Sequence, residues 1–346
     1  MPLNTKILAT LLVIAIGAVL VYTVFTIGAI VALFLLSLLF AFILAPAVNW
    51  IESLGIPRSV AALAIFALFF GGIAAAVYFL SPFIVDEVSH MKEIVTVGQV
   101  RRGIRDVETF LTRNLSFLQG GRRLHVTPKV EEWIGMLLDN VINIAGSLVG
   151  IVLFAVMMLI STLFLLKDAR SLKKALVELV PNRLFEVALN IVQKIEWSLG
   201  AYLRGILLDS LSIGIITTFA LWMIDLPYYF IIGGFAALAN LVPYLGPPVA
   251  AITASFVSVL TTGNFEQVPL ILFVFVIIRL FDDAVVQPLT ISKSVRLHPV
   301  IIIFALLVGG TLFGIIGMLF AVPTVGVLKV VATEFAAGMR RYRPST

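Results

Sequence analysis

Long apolar runs separated by short polar breaks set the pattern of this chain. After Lys6 no charged residue occurs until Glu52, which leaves room for two helices that each cross about 30 Å of hydrocarbon at about 1.5 Å per residue. The pattern predicts a tight helical pair over residues 7–48, hinged near Thr26-Ile-Gly28 and stopped at Pro46. So long an uncharged run exceeds the apolar core of a cleavable signal peptide and reads as an uncleaved pair of spans. A third span is predicted over 60–80, between Pro57-Arg58 and Ser81-Pro82.

Residues 83–140 change character, with eight basic and eight acidic side chains and with Ile84, Val88, Met91, Val95, Ile104, Val107, Leu111 and Leu115 at largely helical spacing. This predicts an extramembrane helical insert with one apolar stripe. Gln119-Gly-Gly-Arg-Arg breaks it, and Thr127-Pro128 supplies an N-cap and first residue for a helix leading into a fourth span, 143–166. Residues 167–204 hold seven Lys or Arg against four acids, are broken at Pro181, and put Leu184, Ala188, Ile191, Ile195, Leu199 and Tyr202 on one helical face. An amphipathic helix in the headgroup region fits this face, and so does a lever coupling a moving gate to a fixed scaffold.

Spans five to eight are predicted over 206–224, 229–260, 267–287 and 299–335, the second and fourth too long for straight crossings. The expected division is N-terminal spans over 1–82, an insert over 83–142, the fourth span over 143–166 and amphipathic cytoplasmic or interfacial helices over 167–205. A C-terminal transport core over 206–338 and a basic tail over 339–346 follow.

Composition fixes the class. The 346 residues are 61% hydrophobic and 12% charged with a mean hydropathy of +1.12, values foreign to a water-soluble domain of this size. The fold class is all-α, a polytopic integral membrane protein of about eight spans. The net charge of +5 is that of cytoplasmic loops rather than of a nucleic-acid surface. Positive-inside counting groups Lys6, Arg58, the seven basic residues of 167–204, Lys329, Arg340, Arg341 and Arg343 on one side, with both termini cytoplasmic. With no cysteine and only His90, His125 and His298, thiolate chemistry is excluded and a His-rich metal site is not expected. No GxxxxGK[ST], HExxH or GxSxG motif occurs, so neither enzyme nor cofactor is expected.

The candidate chemistry lies in breaks and charges. Residues 226–265 contain no Asp, Glu, Lys, Arg or His yet hold Asn240-Leu-Val-Pro-Tyr-Leu-Gly-Pro-Pro248. A proline removes an intrahelical donor, and the freed carbonyls persist at membrane depth only where protein, water or solute satisfies them. Paired broken helices mark transporter substrate sites. Asn240, Pro243, Tyr244, Gly246 and Pro247 therefore form a candidate gate or substrate site, the alternative being a simple kink or a surface turn. A second element opens at His298-Pro299 and reaches Val322-Pro-Thr-Val-Gly326; Gly314, Gly317 and Pro323 would shape its break, and its V-P-x-x-G matches Val242-Pro-Tyr-Leu-Gly246.

Among ionisable residues, Arg279, Asp282 and Asp283 stand at i, i+3 and i+4, close enough to pair on one helix. A carboxylate at span centre costs on the order of 2.5–3.5 kcal/mol, so its retention points to binding or proton movement. Asp282 and Asp283 are candidate ion-coupling ligands, with Arg279 beside them and Asp209 a weaker candidate. The plain alternatives are a structural ion pair near the boundary and, for Asp209, an interfacial position.

Four blocks carry a family resemblance: Asn240 to Pro248, Phe281-Asp-Asp-Ala-Val-Val-Gln-Pro288, Ser294-Val-Arg-Leu-His-Pro299, and Gly309-Gly-Thr-Leu-Phe-Gly-Ile-Ile-Gly-Met-Leu-Phe-Ala-Val-Pro323. In order and approximate spacing they resemble the C-terminal signature of the autoinducer-2 exporter family, permease-like membrane proteins of bacteria and archaea. The resemblance is specific over about 100 C-terminal residues and a matter of pattern elsewhere. It implies secondary transport of a small solute across the cytoplasmic membrane, autoinducer-2 in some members, with sodium or lithium exchanged for protons in others. It also implies a homo-oligomer in the lipid bilayer. A non-transporting membrane scaffold is the alternative from another class.

Overall fold

In a computed structural model the described residues are 28–94, 148–181, 185–290 and 297–341, and their regular structure is helical throughout. The elements are α1 (Gly28–Ser53), α2 (Arg58–Ile94), α3 (Leu148–Glu178), α4 (Phe185–Met223), α5 (Tyr229–Asn240), α6 (Gly246–Thr262), α7 (Val268–Phe281), a π-helical turn (Asp282–Val286), α8 (Gln287–Thr290) and α9 (Pro299–Arg341). Among the described residues five stretches are long and apolar enough to cross a bilayer: Gly28–Ser53, Arg58–Glu87, Gly150–Ala175, Phe185–Met223 and Pro299–Ala336. The protein is a multi-pass helical membrane protein. The first member of the predicted N-terminal pair, most of the insert with its Thr127-Pro128 helix, and Ser294 to Arg296 of the third block lie outside the described residues.

Several predicted boundaries move. Pro46 does not stop α1, which continues to Ser53 and ends where Gly55 takes φ 91, a left-handed conformation suited to glycine. Pro82 does not end the third span; α2 runs on to Ile94. Proline cannot bond the carbonyl four residues back, but the Ser81 hydroxyl donates to the Tyr78 carbonyl at 2.9 Å and satisfies that group instead. Residues 166 and 167 are no boundary either, since α3 runs through to Glu178. The break around Pro181 holds. Beyond it the amphipathic stretch and span five are one continuous 39-residue helix, α4.

The interval 229–260 is two helices. At about 1.5 Å per residue, α5 covers about 18 Å and α6 about 26 Å, each short of a full crossing. Pro243 lies in the turn joining them, while Pro247 and Pro248 occupy the first turn of α6, where a missing N–H costs nothing. The other long segment breaks at Phe313 and Gly314, the latter at φ 60, ψ −141, and not at Pro323. Its two arms fold back: a Cβ on Gly317 would lie 1.9 Å from the Gly309 carbonyl oxygen, an approach only glycine permits. Val322-Pro-Thr-Val-Gly326 therefore lies inside a helix and is not the counterpart of the 242–246 turn.

The chain separates into two compact units, one of Met1–Ile65, Val152–Glu196 and Leu297–Thr346, the other of Phe66–Ile151 and Trp197–Arg296. In the first, buried Ser37 donates across to the Met158 carbonyl at 3.1 Å. At the helix ends Glu52 accepts from Arg58 at 3.0 Å and Arg170 at 2.9 Å, and Arg58 also donates to the Leu166 carbonyl. Lys194 pairs with Glu334. In the second unit Ile213, Leu221, Leu226, Ile232, Ala236, Ala250, Ala254, Ile271, Phe275 and Ile278 make one core of α4, α5, α6 and α7. Small residues set its spacing: a Cβ on Gly233 would meet the Thr218 hydroxyl at 1.9 Å.

Candidate functional site

The second unit brings together side chains that are far apart in sequence. Asp209, on the buried face of α4, is 3% exposed. Asn240 is the last residue of α5 and donates from its amide to Asp209 Oδ2 at 2.8 Å. The Thr290 hydroxyl, on α8, lies 2.7 Å from the Val286 carbonyl and 3.2 Å from Asp209 Oδ1, with one hydrogen to share between them. Asp282, fully buried, lies against Asp209 within hydrogen-bonding reach.

Local backbone chemistry aims each of these groups. Asn240 needs Gly246: a Cβ there would fall 2.6 Å from both the Asn240 Cβ and Oδ1. The asparagine and glycine of the 240–246 stretch thus act together, one supplying the donor and the other the space. Asp282 owes its orientation to the π-helical turn, closed by the Gln287 N–H bonding the Asp282 carbonyl. Pro288 follows two residues after the turn, in the first turn of α8, and such widened turns recur at functional sites.

Arg279 joins the cluster from α7, 3.2 Å from Asp282 Oδ2 and 2.7 Å from Asp283 Oδ1. Gln287 donates to the same two oxygens at 2.8 and 3.0 Å. The two acids differ in setting: the Asp282 side chain is 1% exposed and that of Asp283 50%. Arg279 lies over the Tyr244 ring at 5.3 Å, a cation–π contact. Tyr244 holds φ 70 in the turn after α5, a left-handed conformation that is strained for an aromatic residue.

Of the residues singled out by sequence, Asp209, Asn240, Tyr244, Gly246, Arg279, Asp282 and Asp283 converge here, whereas Pro243 and Pro247 shape the turn without touching the carboxylates. Gly314, Gly317 and Pro323 belong to the first unit and are described with it. Sequence reading missed Gln287, Thr290 and Tyr202. Gln287 is four residues after Asp283, a legible helical pairing; Thr290 and Tyr202, the latter buried beside Asp209, give no sign of their partner. No cluster of three His, Cys, Asp or Glu able to hold a metal occurs among the described residues. A cavity of about 540 Å³ between α4 and α5 is lined by Leu211, Gly214, Thr218, Trp222, Phe230 and Gly233 among others. The carboxylates do not line it.

The arrangement holds two carboxyl groups against one another out of water, a grouping suited to binding and releasing a small cation or a proton. Residues 8–337 match the sequence profile of a family described as AI-2E family transporter. Among relatives, YrrI of Bacillus subtilis (strain 168), a candidate transport protein, is 28% identical over 87% of this chain and 85% of its own length. PerM of Escherichia coli (strain K12), a candidate permease, is 26% identical over 58% of each. The AI-2 transport protein TqsA of the same strain is 28% identical over 37% of this chain and 38% of its own.

Proposed function

The chain belongs to the AI-2E family of transporters, and from that premise we propose that it is a secondary transporter exporting a small solute across the cytoplasmic membrane. In this reading movement is coupled to an ion through Asp209 and Asp282. One observation carries it: two buried carboxyl groups on different helices meet at the end of α5, where the 241–245 turn interrupts the crossing. Two ionisable side chains kept out of water need a use, and a short helix ending beside them gives solute binding a route to move them. Tyr244 and Arg279 form the contact that changes when the turn moves, and Asp283 is the solvated outer member of the cluster.

AI-2 is the first solute to try, because TqsA bears that name. A second reading, exchange of sodium or lithium for protons, draws on the same carboxylates. Assembly with further copies and cytoplasmic placement of both termini complete the proposal. Purified protein in liposomes loaded with a pH-sensitive dye tests it. Solute addition should move protons in the wild type and not in Asp282→Asn at equal incorporation. A signal triggered by sodium or lithium alone would establish the second reading, and wild-type solute movement in Asp282→Asn would remove these carboxylates from the mechanism.

A further inference from the structure

The polar contacts of the two carboxyl groups are asymmetric in a telling way. Asp209 Oδ2 has a donor in Asn240, and Oδ1 lies 3.2 Å from the Thr290 hydroxyl. Asp282 Oδ2 has two, Arg279 and Gln287. Asp282 Oδ1 is buried and has no hydrogen-bond partner, although the Asp209 carboxyl lies within reach. Two ionised carboxylates buried side by side repel, and one proton between them turns the repulsion into a hydrogen bond.

We infer that Asp209 and Asp282 share a single proton, and that this proton, rather than sodium or lithium, is the ion the site carries. The inference rests on the transporter reading above and specifies its coupling ion. The surroundings decide between the ions. A metal cation needs several inward-facing oxygens to replace its water, but the Asn240 amide, the Gln287 amide and the Arg279 guanidinium all present hydrogen to the carboxylates. Since carboxylates only accept, those amide orientations are fixed by their partners. Among the described residues, the charged and titratable groups beside the pair are Arg279 on α7, which also binds Asp283, and Tyr202 on α4. Binding adds one H⁺ to the pair and release returns it, with no other bond made or broken; the proton belongs to the pair and not to either residue.

Infrared difference spectroscopy of the full chain in lipid tests this without transport. At neutral pH, where exposed carboxyl groups are ionised, the wild type should show the C=O band of about one protonated carboxyl per chain, shifted by exchange into heavy water. The band should be absent from the variant carrying both Asp209→Asn and Asp282→Asn, and Thr290→Val should move its position without abolishing it. Sodium added at fixed pH should leave it unchanged. A wild type without the band, or a band that survives the double replacement, overturns the shared proton; loss of the band on adding sodium overturns the choice of ion. Should the double variant fail to fold, the wild-type spectrum and the sodium titration still decide. If the band behaves as expected while Asp282→Asn transports solute like the wild type, the transport reading fails and the proton pair stands.

Discussion

Asn240 illustrates how much one side chain sets at this site. Its amide is the α5 contribution to Asp209, and replacing it with alanine leaves a buried carboxyl group short of a donor, a loss of about 1–3 kcal/mol. Asn240→Ala should therefore lower the unfolding temperature of the purified protein, while the Asn264→Ala control, in an exposed turn, should not. Asp282 and Asp283 separate in the same way. Adjacent in sequence, they looked equivalent by spacing; a fully buried carboxyl and a half-exposed one are not. Asp282→Asn should abolish ion-coupled flux, and Asp283→Asn should retain most of it, as measured in the same liposomes. At this scale the sequence showed the acids and the arginine because helical spacing is local. It hid the meeting of Asp209 with Asp282, and with the Thr290 hydroxyl, because those contacts join residues about 70–80 positions apart, which no local period encodes.

Among elements, prolines proved unequal signals. Pro181 and Pro243 lie at true breaks, Pro243 because Asn240, Gly246 and two more prolines surround it. Pro46, Pro82 and Pro323 sit inside helices, since an apolar run in lipid keeps its ladder on both sides and, at Pro82, a hydroxyl takes the unpaired carbonyl. Glycine read as a generic breaker was equally incomplete: Gly314 turns the chain, whereas Gly233 and Gly317 allow close packing. The Gly233-Gly234 pair gives a sharp contrast. Gly233→Ala puts a Cβ 1.9 Å from the Thr218 hydroxyl, while a Cβ on Gly234 meets nothing within 4 Å. The first should cost about 1–3 kcal/mol through overpacking, and the second should be neutral or stabilising by up to about 1 kcal/mol through helix propensity. Thermal unfolding of the two variants in detergent checks the pair.

For the whole molecule, hydropathy made the class plain, because a chain this apolar can only be housed in a bilayer. For sidedness we propose the orientation that charge counting favours, with both termini cytoplasmic. Within the first unit Glu52, Arg58 and Arg170 form one ionic cluster and Lys194 pairs with Glu334. The absence of cysteine offers a clean labelling test. Leu179, in the exposed turn between α3 and α4, changed to cysteine, should react with an impermeant maleimide in inside-out vesicles and not in intact cells; the reverse would invert the topology.

The central claim, a solute exporter driven through a carboxyl pair, is tested most directly by imposing a pH gradient on liposomes containing the purified protein and following AI-2, then other small solutes, against its own gradient. The account predicts accumulation that requires the pH gradient, persists without sodium or lithium, and disappears in Asp282→Asn. Accumulation that ignores the pH gradient, or that Asp282→Asn sustains at the wild-type rate, would contradict it.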